Sequence, residues 1–514
     1  MYSLMMLVLV GAQMMLVLVG AQHAAPLQSN PAPLQSNPAP LQSNPAPLLP
    51  HPTTCYEVFV RSFYDSNGDG IGDLRGLTQK LDYIAGLGAD CIWLMPVAES
   101  PSYHGYDVTN YYKVEPDYGT NDDFTAFVAA AHRHKIKVLI DLVLNHTSSE
   151  HPWFQEALKD STAPHRNWYR WSATPGNNWH KSPVRDEYYF GLFWSGMPDL
   201  NYENPAVLDE MKRVARFWLD SMHVDGFRLD AVRHLVEAGN EVSNTPGTHA
   251  VLRDYGQYVR SIAPQSYTIG EVWDNPDVIL TYYPDQLDAY FAFPISEALI
   301  DAVKTGKAGG LISTVEQFQR AVPAYRFAPF QRNHDQTRTM TALGNDTAGA
   351  RLAVTILMTL PGVPFIYYGE EIGMTGDKPD ERLRTPMQWS ATSRGFSSGK
   401  PWEMPQSDTL TANVAAEERK GSLLELYRWL IRLRANDTAL RESRLEPVET
   451  GNEAVIAYKR GRVLVLVNLG KQPAELALPG RFTFRSLLTP GRNLTALPTL
   501  APRTAYIYEL TQRP

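Results

Sequence analysis

Eight short apolar runs recur along this chain, and four places where such a run stops carry acids, histidines or an arginine. These are Asp141-Leu-Val-Leu-Asn145-His146, Gly226-Phe-Arg228-Leu-Asp230, Gly270-Glu271-Val-Trp273 and Asn333-His334-Asp335. A strand covered on both faces is apolar throughout, so its polar residues collect where it leaves the sheet. The runs are Tyr56–Arg61, Asp90–Pro96, Lys137–Val143, Phe227–Asp230, Tyr267–Glu271, Ala289–Phe293, Phe330–His334 and Val363–Tyr367. Amphipathic helical stretches lie between most of them; in Asn121–His134, Phe124, Phe127, Val128 and Ala131 share one face. Eight strands alternating with helices predict an α/β architecture, a closed parallel (β/α)8 barrel (TIM barrel) rather than an open sheet.

A chain of 514 residues exceeds one compact core. From Asn145 to about Asn201 it is rich in Trp, Tyr, Pro and Gly and too long for a βα loop, which predicts a small domain inserted after strand three. After a helix at Ser422–Arg434 the pattern changes. Ala454–Lys459, Val463–Asn468, Phe482–Leu488 and Thr504–Leu510 alternate or run apolar between turn residues, which predicts a C-terminal antiparallel β-sandwich domain. The expected division is therefore barrel at 54–144 and 202–435, inserted domain at 145–201, and β domain at 436–514. Before these, Met5–Gln13 repeats at once as Met14–Gln22, and PLQSNPA runs three times between Pro26 and Pro47. No charged side chain precedes Glu57. Residues 1–24 have the length and apolarity of an export signal, so the protein is expected to be secreted or periplasmic; an uncleaved anchor or a misplaced start codon are the other readings. The Pro-rich segment 25–53 cannot bury apolar surface and reads as an extended, disordered spacer. Net charge of −8 argues against nucleic acid or an anionic membrane as partner. Two cysteines occur, Cys55 and Cys91, in separate strand-like runs, and they read as buried thiols.

In a barrel of this kind the βα loops gather at the C-terminal ends of the strands, so the site belongs where the four polar segments lie. Glycosidic cleavage needs a charge-stabilising nucleophile on one face of a sugar and a protonated acid at the leaving oxygen. Asp230 suits the first role, with Arg228 two residues earlier on the same strand face to keep it ionised. Glu271 closes another apolar strand beside Trp273, and partial desolvation there would raise its pKa towards that of a general acid. Asp335, with His146 and His334, suits the gripping of sugar hydroxyls in a distorted transition state. Taken singly, each segment is a strand end with a solvated acid; their joint order carries the argument.

From about Tyr56 to Leu510 the chain resembles the α-amylase superfamily of retaining α-glucoside hydrolases and transglucosylases. The resemblance rests on the four segments together with Gly88-Ala-Asp-Cys-Ile-Trp-Leu-Met-Pro96, Met197-Pro-Asp-Leu-Asn201 and Gly362-Val-Pro-Phe-Ile-Tyr-Tyr-Gly-Glu370. It implies that Asp230 is the nucleophile, Glu271 the acid/base and Asp335 the transition-state stabiliser. Arg228, His146, His334 and Tyr106 (in His104-Gly-Tyr-Asp107) would line the subsite of the reacting glucose. Ala231-Val-Arg233-His234 matches the stretch that, in endo-acting α-amylases, touches the glucose beyond the scissile bond, so His234 joins the substrate-binding set. The Asp199–Asn201 pattern and Arg384-Thr-Pro-Met-Gln-Trp389 look more like the α-glucosidase and trehalose-synthase branch. Of Trp168, Tyr169, Trp171, Trp179 and Trp194 in the inserted domain, some are expected to wall the cleft and the rest to pack.

Asp65-Ser-Asn67-Gly-Asp69-Gly70-Ile71-Gly-Asp73 alternates oxygen ligands as an EF-hand loop does, with the Ile71 carbonyl at position seven, a spacing that suits Ca²⁺. Position twelve is Gly76 rather than Glu, which argues against a regulatory EF-hand; the bland reading is an Asx-rich turn. Similar loops in the family hold a structural Ca²⁺, and the resemblance implies a second site at Asn145, Asp199 and the backbone of His234. The expected activity is hydrolysis of α-1,4-glucosidic bonds in maltodextrins or starch by a monomeric α-amylase. An exo-acting α-glucosidase and a transglucosylase such as trehalose synthase are the runners-up, and a non-catalytic binding homologue is the remote alternative.

Overall fold

The computed structural model describes residues 51–478, 481–488 and 493–512, so the export-signal reading and most of the spacer reading fall outside the described residues. Eight parallel strands make the central sheet: β1 Cys55–Val58, β2 Cys91–Leu94, β3 Lys137–Val143, β4 Gly226–Asp230, β5 Tyr267–Gly270, β6 Ala289–Phe291, β7 Phe327–Ala328 and β8 Phe365–Tyr367. From β1 to β7 each pairs with its neighbour in sequence, and β1 pairs with β8. A bridge between Phe330 and Phe365 brings β7 to β8 and nearly closes the ring. β2 and β4 are buried at every position, as the unbroken apolar runs require.

The helices between strands form where the chain supplies both an apolar face and an end signal. Asn121–Arg133 starts at a capping box in which Thr120 and Asp123 satisfy each other's backbone N–H. Pro205–Arg216 starts after an Asn204 cap with proline in the first turn. Gly226 opens β4 at φ +151°, where a Cβ would sit 1.9 Å from the Tyr267 carbonyl oxygen, so only glycine lets β4 and β5 approach.

Between β3 and β4 the chain forms the helix Pro152–Lys159 and a three-stranded sheet of Trp171–Ser172, Tyr188–Phe190 and Trp179–Lys181. After the helix Leu423–Asn436, capped by Ser422, five antiparallel strands follow: β9 Leu445–Pro447, β10 Val455–Arg460, β11 Val463–Asn468, β12 Phe482–Ser486 and β13 Thr504–Gln512. One face of this sheet (Ile456, Tyr458, Val465, Ile507) shares the main core; the other packs on Ala474, Leu494 and Leu500.

Three expectations are corrected. Cys55 and Cys91 are not thiols; they form a disulfide, because β1 and β2 run in register with these residues paired, Cα atoms 4.4 Å apart. Strand seven does not run over Phe330–His334. It ends at Ala328, since Pro329 has no N–H for the ladder, and Phe330 keeps a single bridge. The short strand β9 carried no alternating pattern and was not anticipated; it pairs through Leu445 with Arg460 at the edge of the sheet.

Candidate active site

Arg228, 1% exposed, organises the C-terminal mouth of the barrel. Its Nη1 lies 2.7 Å from Asp230 Oδ1 and 2.8 and 2.7 Å from the two oxygens of Asp141; its Nη2 lies 2.6 Å from Glu271 Oε2. Strands β3 and β4, adjacent and in register at Asp141 and Arg228, together with the end of β5, bring these groups to one depth. One guanidinium thus serves three carboxyl groups, and its own pKa rises: burial works against the charge, but Asp141, Glu271, Tyr106 and Asp230 outweigh it.

The acids separate in their proton affinity. Glu271 is pushed up to about 8, chiefly by burial and then against the pull of Arg228. Asp141 is pushed up to about 7 by burial, also opposed by Arg228. Asp230 is raised as well, by burial first and by Asp335, with Arg228 and a hydrogen bond from Glu271 pulling it down. Asp335 goes the other way. Burial works to raise it, but His334, Arg384 and Arg228 prevail and hold it low. Arg384 Nη2 lies 2.8 Å from its Oδ1. Acids pushed apart in this manner can hold one proton ready and keep another group ionised at neutral pH.

The two histidines and Tyr106 behave differently from one another. His334 is fully buried, with Nε2 2.5 Å from the Tyr106 hydroxyl and 3.2 Å from Asp335 Oδ2, and the two rings stack 5.7 Å apart. Tyr106 also reaches Asp141 Oδ2 at 3.1 Å. His146 lines the cleft, and its Nε2 has no hydrogen-bond partner among the described residues. His234 lines the cleft too, its Nδ1 held 2.7 Å from the Val242 carbonyl.

Every residue expected in the catalytic and sugar-binding set reaches this mouth, and all but the buried Arg228 and His334 line one open cleft of about 610 Å³. The cleft is also lined by His104, Lys378, Asp380 and Arg384 and by Phe193, Trp194 and Trp273. Among the five aromatic residues named in the inserted domain, only Trp194 lines it. Trp168 and Tyr169 are buried, while Trp171 packs against Phe154 and Trp179 against Phe190. Phe193 went unnoticed because one exposed aromatic beside another carries no periodic signal. Three buried polar groups were also missed: Asp141, Arg384 and Glu57. Asp141 and Glu57 are charged residues inside otherwise apolar runs, and that was the available signal.

The Asp65–Asp73 loop is folded on itself. Asp65 accepts the N–H groups of Asn67, Gly68 and Gly70 and the Ser397 hydroxyl; Asp69 accepts Ile71 N–H; Asp73 accepts Ser66 and Gly76 N–H. At the second place, Asn145 Oδ1 and Asp199 Oδ2 are buried with no hydrogen-bond partner among the described residues. Burial pushes Asp199 up to about 8. Among the described residues no three His, Cys, Asp or Glu side chains converge as a metal cluster, so either place would rely on amide and carbonyl oxygens as well.

Residues 57–443 match the family model described as the α-amylase catalytic domain. The chain belongs to the α-amylase family. It is 41% identical over 432 residues to α-amylase 3 of Dictyoglomus thermophilum, covering 81% of this chain and 84% of that one. It is 35% identical over 505 residues to the trehalose synthase/amylase TreS of Mycolicibacterium smegmatis, covering 82% and 85%. The crystal structure of α-amylase from H. orenii superposes with a TM-score of 0.80 at 39% identity, over 89% of this chain and 99% of that one. This α-amylase family member is accordingly an enzyme acting on glycosidic bonds, on a barrel with a C-terminal antiparallel β domain.

Proposed function

We propose that this enzyme is a retaining hydrolase that cuts α-1,4-glucosidic bonds within maltodextrins or starch. The observation that carries the endo reading is that the cleft over the three acids is open and walled in part by the exposed rings of Trp194 and Trp273, flat apolar surface suited to stacking on glucose rings beyond the reacting one.

In this reading Glu271, protonated at neutral pH, passes its proton to the glycosidic oxygen as the bond to the anomeric carbon breaks. An Asp230 oxygen bonds to that carbon. Water then enters, gives a proton back to Glu271 and its oxygen to the anomeric carbon, and Asp230 leaves. Asp230 and Glu271 share one guanidinium, which supports the short carboxyl separation of retaining enzymes over the wider gap that an inverting enzyme leaves for water. Asp335 stays ionised and, with His146 and Tyr106, grips and orients the reacting sugar, while the buried His334 and Arg228 hold Tyr106 and the acids in place. His234 would touch the next sugar.

Two further parts of the proposal stand beside the mechanism. Calcium would have a structural role. The Asp65–Asp73 loop offers hard oxygens, including the Ile71 carbonyl, and Asn145 with Asp199 offers two buried oxygens that lack donors, the better fit of the two. Removal of the metal should lower Tm, and Asp199→Ala should abolish that response if the second place is the one filled. Export is the second part. A disulfide between β1 and β2 favours an oxidising compartment and so supports reading residues 1–24 as a signal.

A product time course on maltoheptaose tests the activity. Early maltose, maltotriose and longer fragments bear out endo cleavage; glucose released alone moves the enzyme to the α-glucosidases. Conversion of maltose to trehalose would favour transglucosylation, the activity named for the mycobacterial relative.

A further inference from the structure

Glu57 lies inside the barrel on β1, 1% exposed, with Oε1 2.5 Å from Nδ1 of His334. It is not among the residues lining the cleft, yet among the described residues it is the sole hydrogen-bond partner of that ring nitrogen. The opposite nitrogen, Nε2, faces Asp335 Oδ2 at 3.2 Å and Tyr106 at 2.5 Å. Tyr106 gives its one hydroxyl proton to Asp141 Oδ2 and so accepts from the ring nitrogen beside it, which must carry a proton; the Asp335 carboxylate nearby favours the same proton. A neutral imidazole with its proton on Nε2 has a bare lone pair on Nδ1, and the group that meets that lone pair has to donate.

We propose that Glu57 is a positioning residue for the reaction: its protonated carboxyl donates to Nδ1 of His334 and confines the ring proton to Nε2, on the side of Asp335 and the reacting sugar. The inference rests on the functional reading above and adds a residue to it. Burial favours the same protonation. It raises Glu57 well above the usual carboxylate range, against the pull of Arg228 and with the help of Asp335 and Asp141, and it lowers His334 to about 3. The pair is therefore neutral on both sides. Trp93 meets the ring edge-on, the Tyr106 hydroxyl takes its Nε2 side, and Glu57 is the group at Nδ1. From Glu57 the hydrogen bonds run without a gap through His334, Tyr106 and Asp141 to Arg228, which holds Asp230 and Glu271. A single proton deep in the barrel thus sets the polarity of a ring that lies against Tyr106 and Asp335, two groups that line the cleft.

The test is the tautomer itself, read by ¹⁵N NMR of histidine-labelled full-length enzyme, with the His334 signal assigned by its loss in His334→Gln. Wild type should show Nε2–H; a ring protonated on Nδ1, or on both nitrogens, overturns the proposal. Glu57→Leu should release the constraint and admit the Nδ1–H form, and lower kcat on maltoheptaose by about 10- to 100-fold, the range seen for second-sphere partners of functional histidines. Glu57→Gln should rescue, because its amide N–H donates to Nδ1: Nε2–H retained, kcat within about threefold of wild type. Glu57→Leu with an unchanged tautomer and unchanged kcat overturns the proposal. If Glu57→Leu does not fold, Glu57→Gln decides alone, and a shift to Nδ1–H there refutes the assignment. Because the tautomer is read without turnover, a wild type that holds Nε2–H but cleaves no maltoheptaose would sink the functional reading and leave the Glu57–His334 pairing standing.

Discussion

Arg228 and Arg460 are both fully buried cations, and they are compensated in opposite ways. Arg228, at the barrel mouth, faces Asp141, Asp230 and Glu271, and its charge is held more firmly than in water. Arg460, on β10, faces no acid at hydrogen-bonding distance. It donates to the carbonyls of Ser443, Thr359 and Leu440, and burial lowers its pKa to about 10. Arg434 does the same with the carbonyls of Met358, Leu360 and Gly362, and is lowered to about 9. Those carbonyls include the last ones of the helix Thr347–Thr359, where a cation meets the negative end of the helix dipole. Arg460 also ties the C-terminal sheet to the barrel. The same side chain therefore concentrates acids where chemistry is done and caps backbone where only packing is needed. The difference shows where the molecule gives up stability: at the mouth, an excess of acids is held by one cation.

The comparison can be broken at either end. Glu271→Gln removes the proton donor and should cut kcat by roughly 10²–10⁴-fold with the fold intact. Near-normal turnover would end the acid/base assignment. Arg228→Met leaves three buried acids facing one another; unfolding by urea should register a loss of about 3–5 kcal/mol, along with loss of activity. Arg460→Met strands three carbonyls but also removes a buried charge that no acid neutralises. Its cost should be smaller, about 2 kcal/mol, with kcat per folded molecule unchanged. A fall in kcat comparable with that of Arg228→Met would show that the two arginines are not separate in function.

The smallest expected effect is on pH dependence, and it sharpens the same contrast. Glu271 keeps its proton up to about pH 8 in the folded chain, whereas an unfolded glutamate releases it near about 4.3. Its contribution to stability is therefore complete below the unfolded value and is lost as pH rises through about 8. Tm should fall from pH 5 to pH 9 and fall less in Glu271→Gln, and kcat should decline on the alkaline side of about 8 as the acid form disappears. An identical Tm profile in the two proteins would show that Glu271 ionises normally.

Much of the site was legible because a barrel strand has a simple grammar. An apolar run that stops on Asp, Glu or Arg announces its C-terminal end, so Asp230, Glu271 and Arg228 could be named and placed from local pattern alone. His334 and Asp335 were read as a strand end, yet a loop carries them: they come several residues after β7 ends, because Pro329 cuts the ladder short. Glu57 and Asp141 were visible as charges within apolar runs, but not what they would touch. The inserted domain was the least readable. Its aromatic residues follow no period, and whether a ring packs or faces the cleft depends on neighbours far away in the chain.

The amino-acid sequence by itself determined the alternation of strand and helix, the order of the strands and the acids at their ends, since each depends on residues a few positions apart. Only the tertiary structure decided the rest. It put Cys55 against Cys91 through strand register, left Asn145 and Asp199 with unpaired oxygens, and chose Trp194 and Phe193 for the cleft wall. It also set which acid keeps its proton, because desolvation and the shared reach of Arg228 are properties of assembled space, and no stretch of sequence contains them.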